Sequence, residues 1–107
     1  HPNVAIFDGK TLPFEDDSFD VVASKCAIEY LPYQEALNLN REMLRVAPLV
    51  IQSTNYGELC FKTDGFHPNY ALDMDGWEEL YKKAGASKVE IIKEGHPEFV
   101  ATYCLER

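Results

Sequence analysis

The spacing of apolar residues predicts an α/β protein in which strands and helices alternate. Short unbroken apolar runs are typical of strands, and apolar residues three and four positions apart are typical of helices. Strands are predicted over residues 4–7, 19–24, 49–53, 89–93 and 99–105. Helices are predicted over residues 34–47 and from Asp75 to a stop at Gly85. Such alternation favours a mostly parallel sheet.

Two connections are informative. The last two predicted strands are joined by "EGHPE", residues 94–98. So short a connection forces an antiparallel hairpin. The connection over residues 54–73 is long for a compact domain, which predicts that it is either functional or mobile.

Each predicted helix has an apolar face. In the first helix this face consists of Ala36, Leu37, Leu39, Met43, Leu44, Val46 and Ala47. Asn40 falls within it, and a buried amide needs a hydrogen-bond partner. In the second helix, Asp75 is predicted as the N-cap, with Glu78 three positions later as in a capping box. The buried residues of the second helix are predicted to be Trp77, Leu80, Tyr81 and Ala84.

Composition limits the class of protein. The chain has 107 residues, 46% of them hydrophobic, which suits one small packed domain. Its formal net charge of −8 argues against nucleic acid or an anionic membrane surface as partner. No apolar run approaches the roughly 20 residues of a transmembrane helix. Three separated cysteines without a CxxC pair support neither a zinc site nor a disulfide framework, and indicate a cytoplasmic setting.

The stretch "LPFEDDSFDVVAS" has four acids, three of them just before a predicted strand and the fourth, Asp20, at its start. A calcium loop that starts at Asp16 would need glycine and glutamate where the chain has Val21 and Ala27. The spacing therefore excludes that metal site. A run of acids is more often a solvated turn, so Glu15, Asp16 and Asp17 are expected at the surface.

A resemblance to a known family rests on three segments: "FDGKTLPFEDDSFDVVASKCAIEYLP", "REMLRVAP" and "LVIQSTN". Together they resemble the middle and C-terminal half of a class I S-adenosylmethionine-dependent methyltransferase, most of all the UbiE/UbiG-like (type 11) group. The resemblance implies an incomplete Rossmann-like α/β fold, with residues 1–107 as a single partial domain from the third strand onward. It also implies S-adenosylmethionine as cofactor and a small molecule as methyl acceptor.

The chain departs from the family pattern in three places. The family's glycine-rich loop is absent, because the six glycines never form a GxG pair. The family's acid that holds the ribose hydroxyls is absent too. The usual Pro-Gly-Gly turn before the next strand is shortened to Ala47-Pro48. About half of the cofactor site is therefore missing, and we expect the isolated chain to be inactive.

The resemblance assigns cofactor contacts to five residues. Asp8 is expected to accept a hydrogen bond from the adenine amino group, and the Gly9 N–H to bond a ring nitrogen. Ser24, Lys25 and Cys26 leave the carboxyl end of a strand, where the family places the methionine moiety. The residues by themselves also fit a strand-ending Asp8-Gly9 turn and a small buried Cys26.

Two residues are candidates for catalysis, and none is assigned to a metal. Tyr30 stands where the family often has histidine. With a pKa near 10 it is a poor base, so it is expected to line the substrate pocket or to pack against a helix. His67 lies on the long connection, where it is either a proton acceptor or a surface histidine before Pro68.

Three classes of function fit these residues. The first is an S-adenosylmethionine-dependent methyltransferase, or a truncated part of one, that acts on a small molecule. The second is a non-catalytic methyltransferase-like module that binds itself or another subunit. The third is an unrelated nucleotide-binding half-sheet. A homo-oligomer is expected, because an uncovered strand edge and an incomplete sheet face are unfavourable in water.

Overall fold

The computed structural model describes residues 9–25, 31–55, 72–94 and 100–107. Their elements, in order, are β1 (Val22–Lys25), α1 (Tyr33–Val46), β2 (Leu49–Asn55), α2 (Met74–Lys83), β3 (Lys88–Glu94) and β4 (Val100–Glu106). The strand predicted over residues 4–7 and most of the connection over residues 54–73 lie outside the described residues. The other predicted elements are confirmed, with bounds that agree within about three residues.

The four strands form a sheet in the order β1-β2-β4-β3. β1 and β2 are parallel, whereas β4 is antiparallel to both β2 and β3. β1, β2 and β3 therefore point the same way, and β4 is reversed. The predicted hairpin is confirmed. The sheet is mixed in these strands rather than mostly parallel between neighbours, because β4 inserts between β2 and β3.

Both helices cover the same face of the sheet. On β2 this face carries the alternate residues Val50, Gln52 and Thr54, each fully buried. The helices contribute the apolar residues that periodicity predicts, among them Met43, Leu44, Trp77, Leu80, Tyr81 and Ala84. Leu39, predicted in the same group, is only partly buried. The core thus lies between this face of the sheet and the two helices.

Asn40 occupies the polar position predicted within the apolar face of α1. It is fully buried and donates from Nδ2 to the Ala36 carbonyl at 2.8 Å. Its Oδ1 accepts from Nε2 of Gln52 at 2.9 Å. The predicted need for a partner is confirmed, and the amide pair links α1 to the centre of the sheet. Within the described part of the chain, Gln52 Oε1 is buried without a partner.

The start of α2 differs from the prediction. Asp73, not Asp75, is the N-cap, and its Oδ1 accepts from the Gly76 N–H at 2.7 Å. Asp75 falls in the first turn, where a carboxylate meets the positive end of the helix dipole. The predicted stop at Gly85 is confirmed by its φ of +116°, which suits glycine just after a helix.

Several large apolar side chains are exposed. Val21, just before β1, is 48% exposed, and Ile92 on β3 is 55% exposed. Phe14 and Phe19 are also exposed and pack edge-to-face, with ring centroids 5.1 Å apart. In the four described ranges, neither helix is long and apolar enough to cross a membrane.

Candidate functional site

The carboxyl ends of β1 and β2 meet at one edge of the sheet, because these strands are parallel. In their register Ser24 lies beside Gln52, and Lys25 lies beside Ser53. β4 runs the opposite way, so Thr102 near its start also lies beside Ser53. Open α/β sheets bind ligands outside this edge. The structure therefore places Ser24 and Lys25 toward this edge of the sheet.

Hydroxyl groups and a cation line this carboxyl edge. Ser53 Oγ and Thr102 Oγ1 form a hydrogen bond of 2.8 Å. Thr54 Oγ1, one residue further along β2, is instead buried in the core and hydrogen-bonded to the hydroxyl of Tyr81 on α2 at 2.7 Å. Lys25 is exposed at the end of β1, where an ammonium group can bind an anionic ligand group. The edge thus carries the Ser53–Thr102 hydroxyl pair and the positive charge of Lys25.

Gly9 lies against the first turns of α1. It is buried and has a φ of +89°, a conformation that favours glycine. Its carbonyl oxygen accepts from Nδ2 of Asn38 at 3.0 Å. A Cβ on Gly9 would lie 2.9 Å from Oε1 of Glu35. α1 follows the carboxyl end of β1 in the chain, so its first turns begin near the carboxyl edge of the sheet. Gly9, which contacts these turns, therefore lies toward the same edge as Lys25.

Four residues of α1 form a polar stripe that holds residues 9–19 along the helix. Glu35, Asn38, Glu42 and Arg45 are spaced three, four and three apart, and so lie within about a quarter of the helix circumference. Oε1 of Glu42 accepts from the Leu12 N–H at 2.7 Å. Nη2 of Arg45 donates to the Leu12 carbonyl at 3.1 Å. The two polar groups of the Leu12 backbone are therefore bound by neighbouring side chains of the stripe.

Glu42 and Arg45 form a bidentate ion pair. Arg45 donates from Nε and Nη2 to the two carboxylate oxygens of Glu42, at 2.7 and 2.9 Å. The Glu42 side chain is only 12% exposed. Hydrogen bonding from Arg45 lowers the pKa of Glu42 below its ordinary value, although burial opposes this shift, and the Leu12 N–H adds to the lowering. The same contact raises the pKa of Arg45, so both groups are charged at neutral pH.

The acidic turn is anchored at the carboxyl end of α1. Asp16 accepts from Nη1 of Arg45 at 2.7 Å, and Asp17 accepts from Nη2 of Arg107 at 2.7 Å. The Asp17 N–H also donates to the Arg45 carbonyl at 3.1 Å. These two carboxylates are 74% and 59% exposed, which confirms the predicted solvated turn. Within the described part of the chain, no cluster of three or more His, Cys, Asp or Glu residues could hold a metal.

The predicted site residues divide into two groups. Gly9, Ser24 and Lys25 lie within the described residues, toward the carboxyl edge of the sheet. The others, Asp8, Cys26, Tyr30 and His67, lie outside the described residues. The roles of all seven stay predictions.

The polar stripe was not predicted from the sequence. Its signal is present, because polar residues recur at 35, 38, 42 and 45 with helical spacing, beside the apolar face. Such a pattern ordinarily indicates a solvated flank. This pattern can be recognised as a binding stripe only when its hydrogen-bond partners are known. These partners belong to residues 9–19, about thirty positions earlier in the chain.

The sequence and the fold both resemble methyltransferases. A family model described as a methyltransferase domain matches residues 2–48. No curated protein matches the sequence significantly. A protein of Nostoc punctiforme with a provisional O-methyltransferase description is 13% identical, with a TM-score of 0.68. PigF, solved with SAH, is 14% identical with a TM-score of 0.66. The CurJ carbon methyltransferase is 15% identical with a TM-score of 0.62.

Coverage differs greatly between this chain and those proteins. The three structures cover 90%, 88% and 87% of this chain, which itself spans 33%, 32% and 30% of theirs. The fold is therefore the Rossmann-like α/β fold of methyltransferases, present in part. The family match over residues 2–48 and the shared fold both make the chain similar to class I methyltransferases. They support the predicted class, and the UbiE/UbiG-like subgroup stays a prediction.

Proposed function

We propose that this chain is part of an S-adenosylmethionine-dependent methyltransferase that acts on a small molecule. The observation that carries the proposal is that the family match spans both segments expected to contact the cofactor. Those segments contain Asp8 and Gly9 on one side, and Ser24, Lys25 and Cys26 on the other. The presence of SAH in the structure of PigF supports a cofactor of this chemistry.

The described residues fit such a cofactor in two respects. Gly9 has a positive φ, which suits glycine, and the proposal assigns its backbone N–H as donor to an adenine ring nitrogen. Lys25 supplies an exposed cation for the methionine carboxylate, with Ser24 next to it on β1. Asp8 would accept from the adenine amino group, and Cys26 would contact the methionine moiety. When bound, the cofactor supplies a methyl group attached to a positively charged sulfur.

The protein's part in methyl transfer is then mainly positioning. The acceptor atom must approach in line with the bond between methyl carbon and sulfur, so the carboxyl edge has to orient both molecules. We assign His67 as the group that takes a proton from the acceptor, and Tyr30 as a wall of the acceptor pocket. A net charge of −8 supports a small-molecule acceptor rather than nucleic acid or a membrane surface.

Turnover is expected to need more than these residues. The chain spans about a third of the length of the solved structures that it matches, and its sequence has no GxG pair. We treat residues 1–107 as a single partial domain that holds the adenine side and part of the methionine side of the site. By itself it would bind cofactor weakly and would not catalyse methyl transfer.

Calorimetric titration of the 107-residue chain with S-adenosylhomocysteine tests this proposal. We expect weak but measurable binding and its loss in Asp8→Ala, because the carboxylate is the proposed acceptor for the adenine amine. Arg41→Ala, at an exposed position of α1, should bind as the wild type does. A folded chain that releases no heat of binding would contradict the proposal.

A second candidate function is a non-catalytic module that forms a homo-oligomer. It is favoured by exposed apolar residues at both outer strands of the described sheet, namely Val21 beside β1 and Ile91 and Ile92 on β3. Contact between copies would remove this apolar surface from water. Light scattering should then give a mass above that of one chain, and Val21→Glu should lower it. A monomeric wild-type chain would exclude this candidate. We also propose a cytoplasmic location, which the separated cysteines support.

A further inference from the structure

The backbone of Gly9 is fixed from two sides by α1. Its carbonyl accepts from Asn38 at 3.0 Å, and the space beside its Cα is filled by the carboxylate of Glu35. Gly9 is buried with a φ of +89°. The Gly9 carbonyl belongs to the planar peptide unit after Gly9, and the Gly9 N–H belongs to the planar unit before it. The contact with Asn38 therefore fixes the first unit directly and restrains the N–H through the φ and ψ angles of Gly9.

The amide of Asn38 is itself held in one orientation. Its Oδ1 accepts from Nε2 of Gln34, one turn earlier on α1, at 3.0 Å. This contact leaves the NH2 group to face Gly9. Asn38 is partly buried rather than exposed, which limits competition from water. The donor is thus preorganised before any ligand arrives.

The segment after Gly9 cannot easily slide to compensate for a change. Glu42 and Arg45 bind the N–H and the carbonyl of Leu12, three residues later, at 2.7 and 3.1 Å. The segment is therefore held by two sets of contacts with α1. The contacts of Glu42 and Arg45 with Leu12 fix its position along the helix, and the contact of Asn38 with the Gly9 carbonyl fixes the direction of one peptide unit.

We propose that Asn38 is a positioning residue for adenine binding, which acts by directing the Gly9 N–H toward the adenine ring. This inference rests on the proposed function, since Asn38 can affect adenine binding in this way only if the Gly9 N–H contacts the cofactor. Asn38 itself touches no ligand in this proposal. It determines affinity through the Gly9 backbone.

The test is to compare two nucleosides by NMR titration of the ¹⁵N-labelled 107-residue chain. Adenosine has the 6-amino group, and purine riboside lacks it, but both have the ring nitrogen proposed to accept from Gly9. Asn38→Asp keeps the shape of the side chain and removes the donor, so the new carboxylate repels the Gly9 carbonyl. We expect it to weaken both nucleosides by about tenfold, because both lose the same contact.

Two control variants are needed to interpret the effect of Asn38→Asp. Asp8→Ala should weaken adenosine more than purine riboside, because it removes the partner of the amino group alone. Arg41→Ala, on the exposed side of the same helix, should leave both affinities unchanged. A merely structural role of Asn38 would also lower the free energy of unfolding and shift amides throughout α1, so the proposed role requires an unchanged urea midpoint and shift changes confined to Gly9 and its neighbours. If Asn38→Asp fails to fold, Asn38→Ala, which adds no charge, decides the question by the same measurements.

The outcomes separate the inference from the proposed function. If the wild type binds and both Asn38 variants bind equally well, the inference is wrong and the proposed function stands. If an Asn38 variant loses adenosine but not purine riboside, Asn38 acts on the amino group and the inference is wrong in its mechanism. If the folded wild type binds neither nucleoside nor S-adenosylhomocysteine, the proposed function fails, and the inference fails with it.

Discussion

The two flanks of α1 hold different parts of the protein by different physical means. The apolar flank packs residues such as Met43 and Leu44 against the sheet, where they are almost completely buried. The polar stripe holds residues 9–19 through a few short hydrogen bonds at the partly exposed side of the helix. Apolar burial has no direction, so it fixes where the helix lies. Hydrogen bonds have direction, so they can fix the shape of the segment that carries Gly9.

The largest effect is expected on the apolar flank. Leu44→Ala should lower the free energy of unfolding by about 2–5 kcal/mol, because it removes buried methyl groups and leaves a cavity. Urea unfolding followed by circular dichroism measures the loss. Leu39→Ala, on the same helix but only partly buried, should cost clearly less. Equal losses would show that burial in the described core does not decide the stability of α1.

Substitutions in the buried Asn40–Gln52 amide pair should lower the free energy of unfolding by less, and the single and double variants together should show whether the pair acts as a unit. Asn40→Leu should cost about 1–3 kcal/mol, because it leaves the Gln52 amide buried without its partner. Asn40→Leu combined with Gln52→Leu should unfold within about 1 kcal/mol of the wild type, since both buried polar groups are then gone. The double variant also removes the Oε1 atom that lacks a partner. Losses that simply add would show that the pair does not act as a unit.

The contrast between the flanks also explains what could be predicted from the sequence. The apolar face of α1 repeats with the period of a helix, so its residues could be predicted from the sequence alone. The same pattern showed that Asn40 is a polar residue within that face. The reversal of β4 followed from a short connection. These features depend on neighbours in the sequence.

Features that depend on distant partners were not predictable in the same way. The contacts of Glu42 and Asn38 lie 30 and 29 positions away, and no local pattern specifies them. The cap of α2 shows the same difficulty at short range, because Asp73 and Asp75 are equally suitable residue types. The reach of Asp73 to the Gly76 N–H decided between them.

On the polar stripe, Glu42→Gln tests charge with little change of shape. We expect a loss of about 1 kcal/mol at neutral pH, because Arg45 loses its carboxylate partner. The pKa of Glu42 is lowered in the folded state. The stabilisation is therefore complete above the ordinary pKa of 4.5 and is lost as the pH falls through the lowered value. Urea titrations at neutral and acidic pH should show the gap between the two proteins closing below 4.5. A gap that does not change with pH would contradict this account.

The smallest effect is expected for the same substitution at Glu79. Glu79 and Lys83 form an ion pair of 3.3 Å on α2, but their side chains are 68% and 53% exposed, against 12% for Glu42. Water and salt compete with such a pair, so Glu79→Gln should leave the urea midpoint unchanged within error. Both substitutions remove one negative charge from a helix surface, so the difference between them reports the burial of Glu42 together with its additional hydrogen bonds to Arg45 and Leu12. If Glu79→Gln costs as much as Glu42→Gln, the polar stripe is an ordinary charged flank. Its contacts with residues 9–19 then add no more to the free energy of unfolding than an exposed ion pair does.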